Sequence, residues 1–375
     1  MKKIQLVACL LAALLLTGIV ACNKDSGDKG NNAGNGYDRK AMLSHLADNL
    51  IIPAYTSFAT DMDALKTASD AFVAAPATAS LAALRSQWQK AYINWQKVEL
   101  YDFGPSVNSR NFFNIYPTDA ALLESYVSSG SYNLELLLNN KVQGFPALDY
   151  LLNGLAADDA AIVAKYTTDA AAGHRRQYLA DVVAKMKAKA DPVLAAWKGD
   201  YRGQFIANDG SGAGSSLSLM TNEYIMYFER FLRSGKYAIP AGAMSGTPLP
   251  GSVEALYSKT IGTQLATTAL QACQDFYLGK DVKTGAEGPG LNAYLKALAS
   301  TNTAAGPLAA KIDSQFGTLK TKASGLGGSI YDAVTTNRTA VLDLYDEFQA
   351  QVRYLKVDMT SAIGISITYT DNDGD

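Results

Sequence analysis

The segment VLDLYDEFQAQVRYLKVDM, residues 341–359, decides the fold class. Val341, Leu344, Phe348, Val352, Leu355 and Met359 recur at steps of three or four, which is the spacing of one apolar helix face. Working outward, Leu81, Leu84, Trp88, Tyr92, Trp95 and Val98 repeat the pattern, and so do Leu217, Met220, Tyr224, Tyr227 and Phe231. Residues 171–197 are rich in Ala and Lys, with Tyr178, Val182, Met186 and Leu194 spaced helically. Helices are also expected over 252–278, 291–298, 307–322 and 330–362. Leu43, Leu46 and Leu50 open an earlier helix that Pro53 kinks or interrupts. Pro307 suits a first helical turn, where its missing N–H costs nothing. Strand signals are sparse: only Ile365–Thr370 alternates, after Gly364 ends the last helix. The expected class is all-α, built as antiparallel bundles.

The 375 residues suit about two domains, and a boundary is placed near Tyr201, giving 38–201 and 202–375. Irregular stretches at 102–117, 128–146 and 208–216 are long for a bundle and so are candidates for function. With 33 Lys+Arg against 35 Asp+Glu the chain is not a generally basic nucleic-acid binder. Apolar residues at 48% and charged residues at 18% mark a folded chain. Two His, no HExxH and no CxxC leave no His-rich zinc site.

The first segment reads as a signal peptide, residues 1–21. Met1-Lys2-Lys3 is basic, and the apolar core that follows is short for a bilayer span. Ile19-Val20-Ala21-Cys22 resembles the bacterial lipoprotein box, which implies cleavage before Cys22 and lipid on it. Residues 22–37 then form a flexible tether of Gly, Asn, Asp, Ser and Lys. The location expected is the cell envelope, with the outer membrane as partner through that lipid. Cys9 is lost with the signal, so Cys273 stands alone. It lies in a helical stripe with Leu265, Ala269 and Phe276, as a buried core thiol would.

Two carboxylates stand out. Glu99 follows Trp88, Tyr92 and Trp95 at steps of four, three and four, so it falls on an apolar face, where a charge needs a partner or ligand. The competing reading puts Glu99 in a last turn that reaches solvent. Asp149 lies in Gly144-Phe145-Pro146-Ala147-Leu148-Asp149, either as a helix-start carboxylate or as a site residue. Arg110, in the long loop, either neutralises an anionic group or is solvated. Glu254 follows Pro250-Gly251-Ser252, with Ser252 as a plausible N-cap, and on spacing alone reads as a solvated first-turn Glu.

Taken in order, Trp88-Gln89-Lys90-Ala91, Trp95, Glu99, Phe103-Gly104-Pro105, the Gly144–Leu152 segment and the Gly364-to-Asp375 ending resemble the imelysin-like proteins. The resemblance covers Tyr37 to Asp375. It implies two four-helix-bundle-like domains related by internal duplication, an association with iron uptake, and a site between the domains. Under that duplication Tyr227 and Lys236 flank the same surface, and Trp95, Glu99, Arg110, Asp149 and Glu254 are its candidate ligand-binding residues. The family was named for a claimed metallopeptidase activity and carries Gly-x-His-x-x-Glu. Here Gly144 is kept, Pro146 stands at the His position and Asp149 at the Glu position. Pro146 cannot ligate a metal. Neither His45 nor His174 supplies a ligand set, although oxygen ligands such as Glu99 and Asp149 leave a divalent metal or iron open.

The leading expectation is therefore a non-catalytic lipoprotein that binds a ligand or partner, such as other uptake components, in iron or haem acquisition. A divergent metallopeptidase and a structural or adhesion lipoprotein are the alternatives.

Overall fold

A computed structural model describes residues 37–370. Cys22, the tether up to Gly36 and the Asp371–Asp375 tail lie outside the described residues. The described chain opens as α1 (Arg39–Leu46), a π-helical turn (Ala47–Ile51) and α2 (Ile52–Ala74) in one unbroken run. The Asp38 carboxylate starts it by accepting the Ala41 N–H at 2.8 Å. Pro53 does not interrupt the run, and its perturbation takes the form of the π turn before it. A proline clashes with the carbonyl four residues back, and the π turn re-routes that carbonyl. The carbonyl belongs to Asn49, which accepts the Val282 N–H at 3.0 Å instead.

The first set of helices continues with α3 (Thr78–Trp95), α4 (Arg110–Phe113), α5 (Ala120–Ser129), α6 (Gly144–Asp149), α7 (Asp159–Thr167) and α8 (Ala172–Lys198). A π turn, Tyr150–Gly154, extends α6. The length of α2 packs along α3 and α8. Their shared core is aromatic: Phe58, Trp95, Phe113 and Phe145 meet one another, and Tyr92 stacks on Phe145 at 4.5 Å. Each such side chain, fully buried, contributes about 1.5–3 kcal/mol.

The second set is α9 (Asp200–Ala207), α10 (Ser216–Met226), α11 (Ile239–Ala241), α12 (Gly262–Leu278), α13 (Leu291–Leu298), α14 (Ala305–Ser324), α15 (Ile330–Thr336), α16 (Arg338–Arg353) and α17 (Thr360–Ile363). A long π stretch, Tyr227–Ala238, joins α10 to α11, and a π turn, Tyr354–Met359, joins α16 to α17. The long stretch packs on α16, while α14 packs against α12, α13 and α16. The two sets meet where α9 packs on α8 and α1, where α12 touches α3, and where the 3₁₀ turn Glu99–Tyr101 touches α10 and the long π stretch. The all-α class stands: every regular element among the described residues is helical. No helix among them is long and apolar enough to cross a membrane.

Several local expectations change. The helix with Trp88 ends at Trp95, so Glu99 sits in the 3₁₀ turn beyond it and is buried rather than solvated. The helix expected from Ser252 begins only at Gly262. Residues 253–260 are irregular, with Ala255 and Lys259 at positive φ, so Ser252 caps nothing and Glu254 is not in a first turn. The last long helix breaks at Asn337, between α15 and α16. Asp149 closes α6 rather than starting it. Residues 365–370 are irregular and pair with no strand among the described residues. The Asn222 side-chain amide takes the place of one, donating to the Ser366 carbonyl at 3.0 Å and accepting the Thr368 N–H at 2.8 Å.

Candidate functional site

Where the helix sets meet, the interior is polar. After α3 ends, Gln96 and Glu99 turn inward. Arg110 on α4 and Asn114 just beyond it come from the long loop; Glu223 is on α10; Tyr227 and Lys236 are on the π stretch; Glu254 is on the irregular 253–260 segment. All of them are buried.

Their hydrogen bonds interlock. The Asn114 side-chain N–H donates to Glu99 Oε1 at 3.0 Å and to Glu254 Oε1 at 2.8 Å, bridging two carboxylates. Its own oxygen accepts the Tyr92 hydroxyl at 2.6 Å. Tyr227 donates to Glu99 Oε2 at 3.2 Å. The Lys236 ammonium donates to Glu254 Oε2 at 2.5 Å and to Gln96 Oε1 at 2.8 Å, and Gln96 returns an N–H to Glu254 Oε1 at 3.0 Å. Arg110 pairs with Glu223, lies 3.4 Å from Asp102, donates to the Glu99 carbonyl at 3.2 Å and rests over the Phe231 ring at 4.0 Å.

Four carboxylates thus face two cations. Burial pushes the Glu99 carboxyl above its ordinary range; Lys236 opposes that shift, Glu254 adds to it, and Arg110 opposes it. Burial also raises Asp102 against the pull of Arg110. The Tyr92, Tyr116 and Tyr227 hydroxyls are raised by burial and by the nearby glutamates, and so stay protonated donors. Cys273 is buried and unpaired to any cysteine, with its thiol raised by burial, as the sequence suggests.

Of the candidates read from sequence, Glu99, Arg110 and Glu254 converge here, joined by Tyr227 and Lys236. For Arg110 and Glu254 the solvated readings are overturned, because both side chains lie inside the ion-pair network. Trp95 does not join them. It stacks on Phe113 at 4.4 Å and belongs to the aromatic core.

Asp149 stands apart from Glu99 and shares no hydrogen-bond partner with it. Its carboxylate accepts the backbone N–H groups of Tyr257 at 2.8 Å and Ser258 at 3.0 Å, and the Asn153 amide at 3.0 Å. Burial raises its carboxyl to about 6 despite these donors. Since Tyr257 and Ser258 follow Glu254 by three and four residues, Asp149 clasps the segment that delivers Glu254. Those two amides, engaged by a side chain, are lost to any helix across 253–260. Gly144 is needed for its own reason: φ is +76°, and a Cβ there would overlap the Phe113 carbonyl at the end of α4. The side chain of buried Pro146 has no group that can ligate.

Gln96, Asn114 and Glu223 were not singled out by sequence. Glu223 had a signal, since it lies four residues before Tyr227 and three after Met220 on an apolar stripe. Asn114 and Gln96 had none, because neutral amides in loops look like ordinary turn residues.

A divalent metal does not fit this set. The oxygens of Asp149 are taken by amides, and the Lys236 ammonium already occupies the cation position on Glu254. Among the described residues no three His, Cys, Asp or Glu side chains are placed to hold an ion. Beyond the cluster, the outer faces of the π turn 47–51, α2 and α12 enclose a cleft of about 530 Å³.

This arrangement of helices belongs to a known class. Residues 51–355 match the family described as Imelysin, and the chain belongs to that family. It resembles the crystal structure of an imelysin-like protein from Psychrobacter arcticum 273-4, with a TM-score of 0.67 and 20% identity, covering 88% of this chain and 97% of that one. It also resembles the crystal structure of a protein from Parabacteroides distasonis ATCC 8503 described as an iron-regulated protein A precursor, with a TM-score of 0.72, 16% identity and the same coverage, 88% and 97%. Over 113 residues it is 27% identical to Iron-regulated protein A of Synechococcus elongatus (strain ATCC 33912 / PCC 7942 / FACHB-805); the match spans 29% of this chain and 30% of that relative.

Proposed function

We propose that this chain is a non-catalytic binding component of iron or haem acquisition, held at the cell envelope by lipid on Cys22. The observation that carries the reading is the closed state of the polar cluster. Both oxygens of Glu99, of Glu254 and of Asp149 are engaged by protein donors. A general acid, a base or a metal ligand needs a free oxygen facing a reactant. Here the carboxylates instead fasten one helix set to the other. Membership of the imelysin family, and relatives named iron-regulated, support the link to iron.

On this reading residues 38–201 and 202–375 are two helical domains, and the cluster is the rigid seam between them. The test is a chromosomal deletion complemented by the wild-type gene or by Cys22→Ala. Slower growth of the deletion strain under iron limitation, restored by wild type but not by the unanchored form, is the expected result. Equal growth of all strains in iron-poor and iron-rich medium, or cleavage of peptides by the purified chain, refutes the reading.

A further inference from the structure

The cleft beside α12 lies outside the polar cluster, and its walls are fixed. Leu50, Ala54 and Ser57 line one side at steps of four and three, a single helix face. Thr267, Gln271 and Asp275 on α12 face them at steps of four. The far end is the 280–285 loop, which is tied back to the first helical run. Val282 N–H donates to the Asn49 carbonyl at 3.0 Å, and the His45 ring bonds the Gly279 carbonyl at 2.7 Å. The Pro53-adjacent π turn that frees the Asn49 carbonyl therefore also fixes the cleft wall. At about 530 Å³ the space has the size of small-molecule sites.

The charges lining the cleft show what it would take. Asp281 accepts the N–H groups of Lys283 at 2.7 Å and Thr284 at 2.8 Å, and this holds its carboxyl below the ordinary range. Asp275 accepts the Gln271 amide at 2.8 Å and has the Lys280 ammonium at 3.6 Å. Asp275 and Lys280 thus face each other, and Asp281, engaged through Oδ1 alone, sits on the 280–285 loop at the far end. Lys97, exposed at the rim, makes no side-chain hydrogen bond or ion pair among the described residues. One uncommitted cation stands over a floor of Leu50, Ala54, Ala272 and the Tyr101 ring.

We propose that this cleft is a binding site for an amphipathic organic monoanion, its carboxylate or sulfonate on Lys97 and its apolar body between α2 and α12. The proposal deepens the binding-protein reading and rests on it. It also links ligand to cluster, because Lys97 and Tyr101 flank Glu99 in sequence and belong to the same connection after α3.

The full-length chain in phosphatidylcholine nanodiscs would be titrated with 4-(trifluoromethyl)phenylacetate, followed by ¹⁹F NMR against empty nanodiscs, with the neutral amide of the same probe alongside. Saturable binding of one anion per chain is expected, with the amide weaker by about tenfold, the scale of a charge-assisted contact. Lys97→Glu should weaken the anion by at least about tenfold, and Lys97→Arg should keep it within about threefold. Ser57→Trp, at an exposed position on the cleft wall, should block it while leaving the circular dichroism unchanged. Equal binding of anion and amide overturns the proposal, as does binding unchanged in Lys97→Glu and Ser57→Trp. If the deletion strain still grows slowly in low iron while the cleft takes no anion, this proposal falls and the binding-protein reading stands.

Discussion

Lys236→Met tests the seam most directly. The Lys236 and Glu254 side chains are each 1% exposed, so solvent cannot replace the lost ammonium. The substitution strands Glu254 Oε2 as a buried unpaired charge and removes the donor to Gln96 Oε1. Breaking a buried pair from one side costs about 3–5 kcal/mol, a large part of the roughly 5–15 kcal/mol typical of a whole protein. Lys236 is also the foremost influence holding Glu99 down, so the Glu99 carboxyl moves further up when it goes. Adding Glu254→Gln removes the stranded charge while keeping an oxygen for Gln96 and Asn114. The double variant should recover to within about 2 kcal/mol of wild type, since one or two neutral hydrogen bonds remain lost. Urea unfolding followed by circular dichroism at pH 7 gives all three values. A Lys236→Met chain within about 1 kcal/mol of wild type, or a double variant no better than the single, refutes the argument that this ion pair is desolvated and coupled.

The Asp149 clasp predicts a pH signature. Its carboxyl rises from 3.8 to about 6 on folding, so between those values the folded chain keeps a proton that the unfolded chain has lost. Its contribution is therefore greatest below pH 3.8 and is lost as pH rises through 6, by about 3 kcal/mol in all. Stability of wild type relative to Asp149→Asn should fall across that window in a series of unfolding curves, and parallel pH profiles would contradict it. Gly144→Ala should destabilise by more than about 1 kcal/mol in thermal unfolding, through positive φ and the Phe113 carbonyl together. A wild-type melting temperature in that variant would show that α4 can move aside. Cys273 should resist a thiol reagent in the native chain and react once urea unfolds it; modification at native pH 7 would contradict its burial.

The fold was legible because apolar side chains at steps of three and four can bury only as helices, and the stripes through Trp88, Tyr224 and Phe348 do so. What the periodicity could not show is where a helix yields to a competing hydrogen bond. Residues 253–260 carry no strong helix breaker, yet they stay irregular because Asp149, more than a hundred residues away, takes two of their amides. The alternating 365–370 segment reads as a strand, but a side-chain amide supplies its pairing. Of the site, Glu99 and Glu254 were visible as carboxylates in telling places. Their partners Gln96 and Asn114 were not, because neutral amides carry no patterned cost in a sequence. Pro53 shows the opposite case: a residue that normally stops a helix is tolerated where a π turn precedes it.

The Asp149 clasp also bears on which positions can change. A carboxylate held by a backbone N–H recognises no side chain at that residue. At Tyr257 it needs only that the residue be able to donate its N–H, so proline alone would fail there. Position 149 has no such freedom, since the carboxylate must be present and of the right reach. The clasp thus ties position 149 to one side chain, while the main chain it grips can come from almost any sequence.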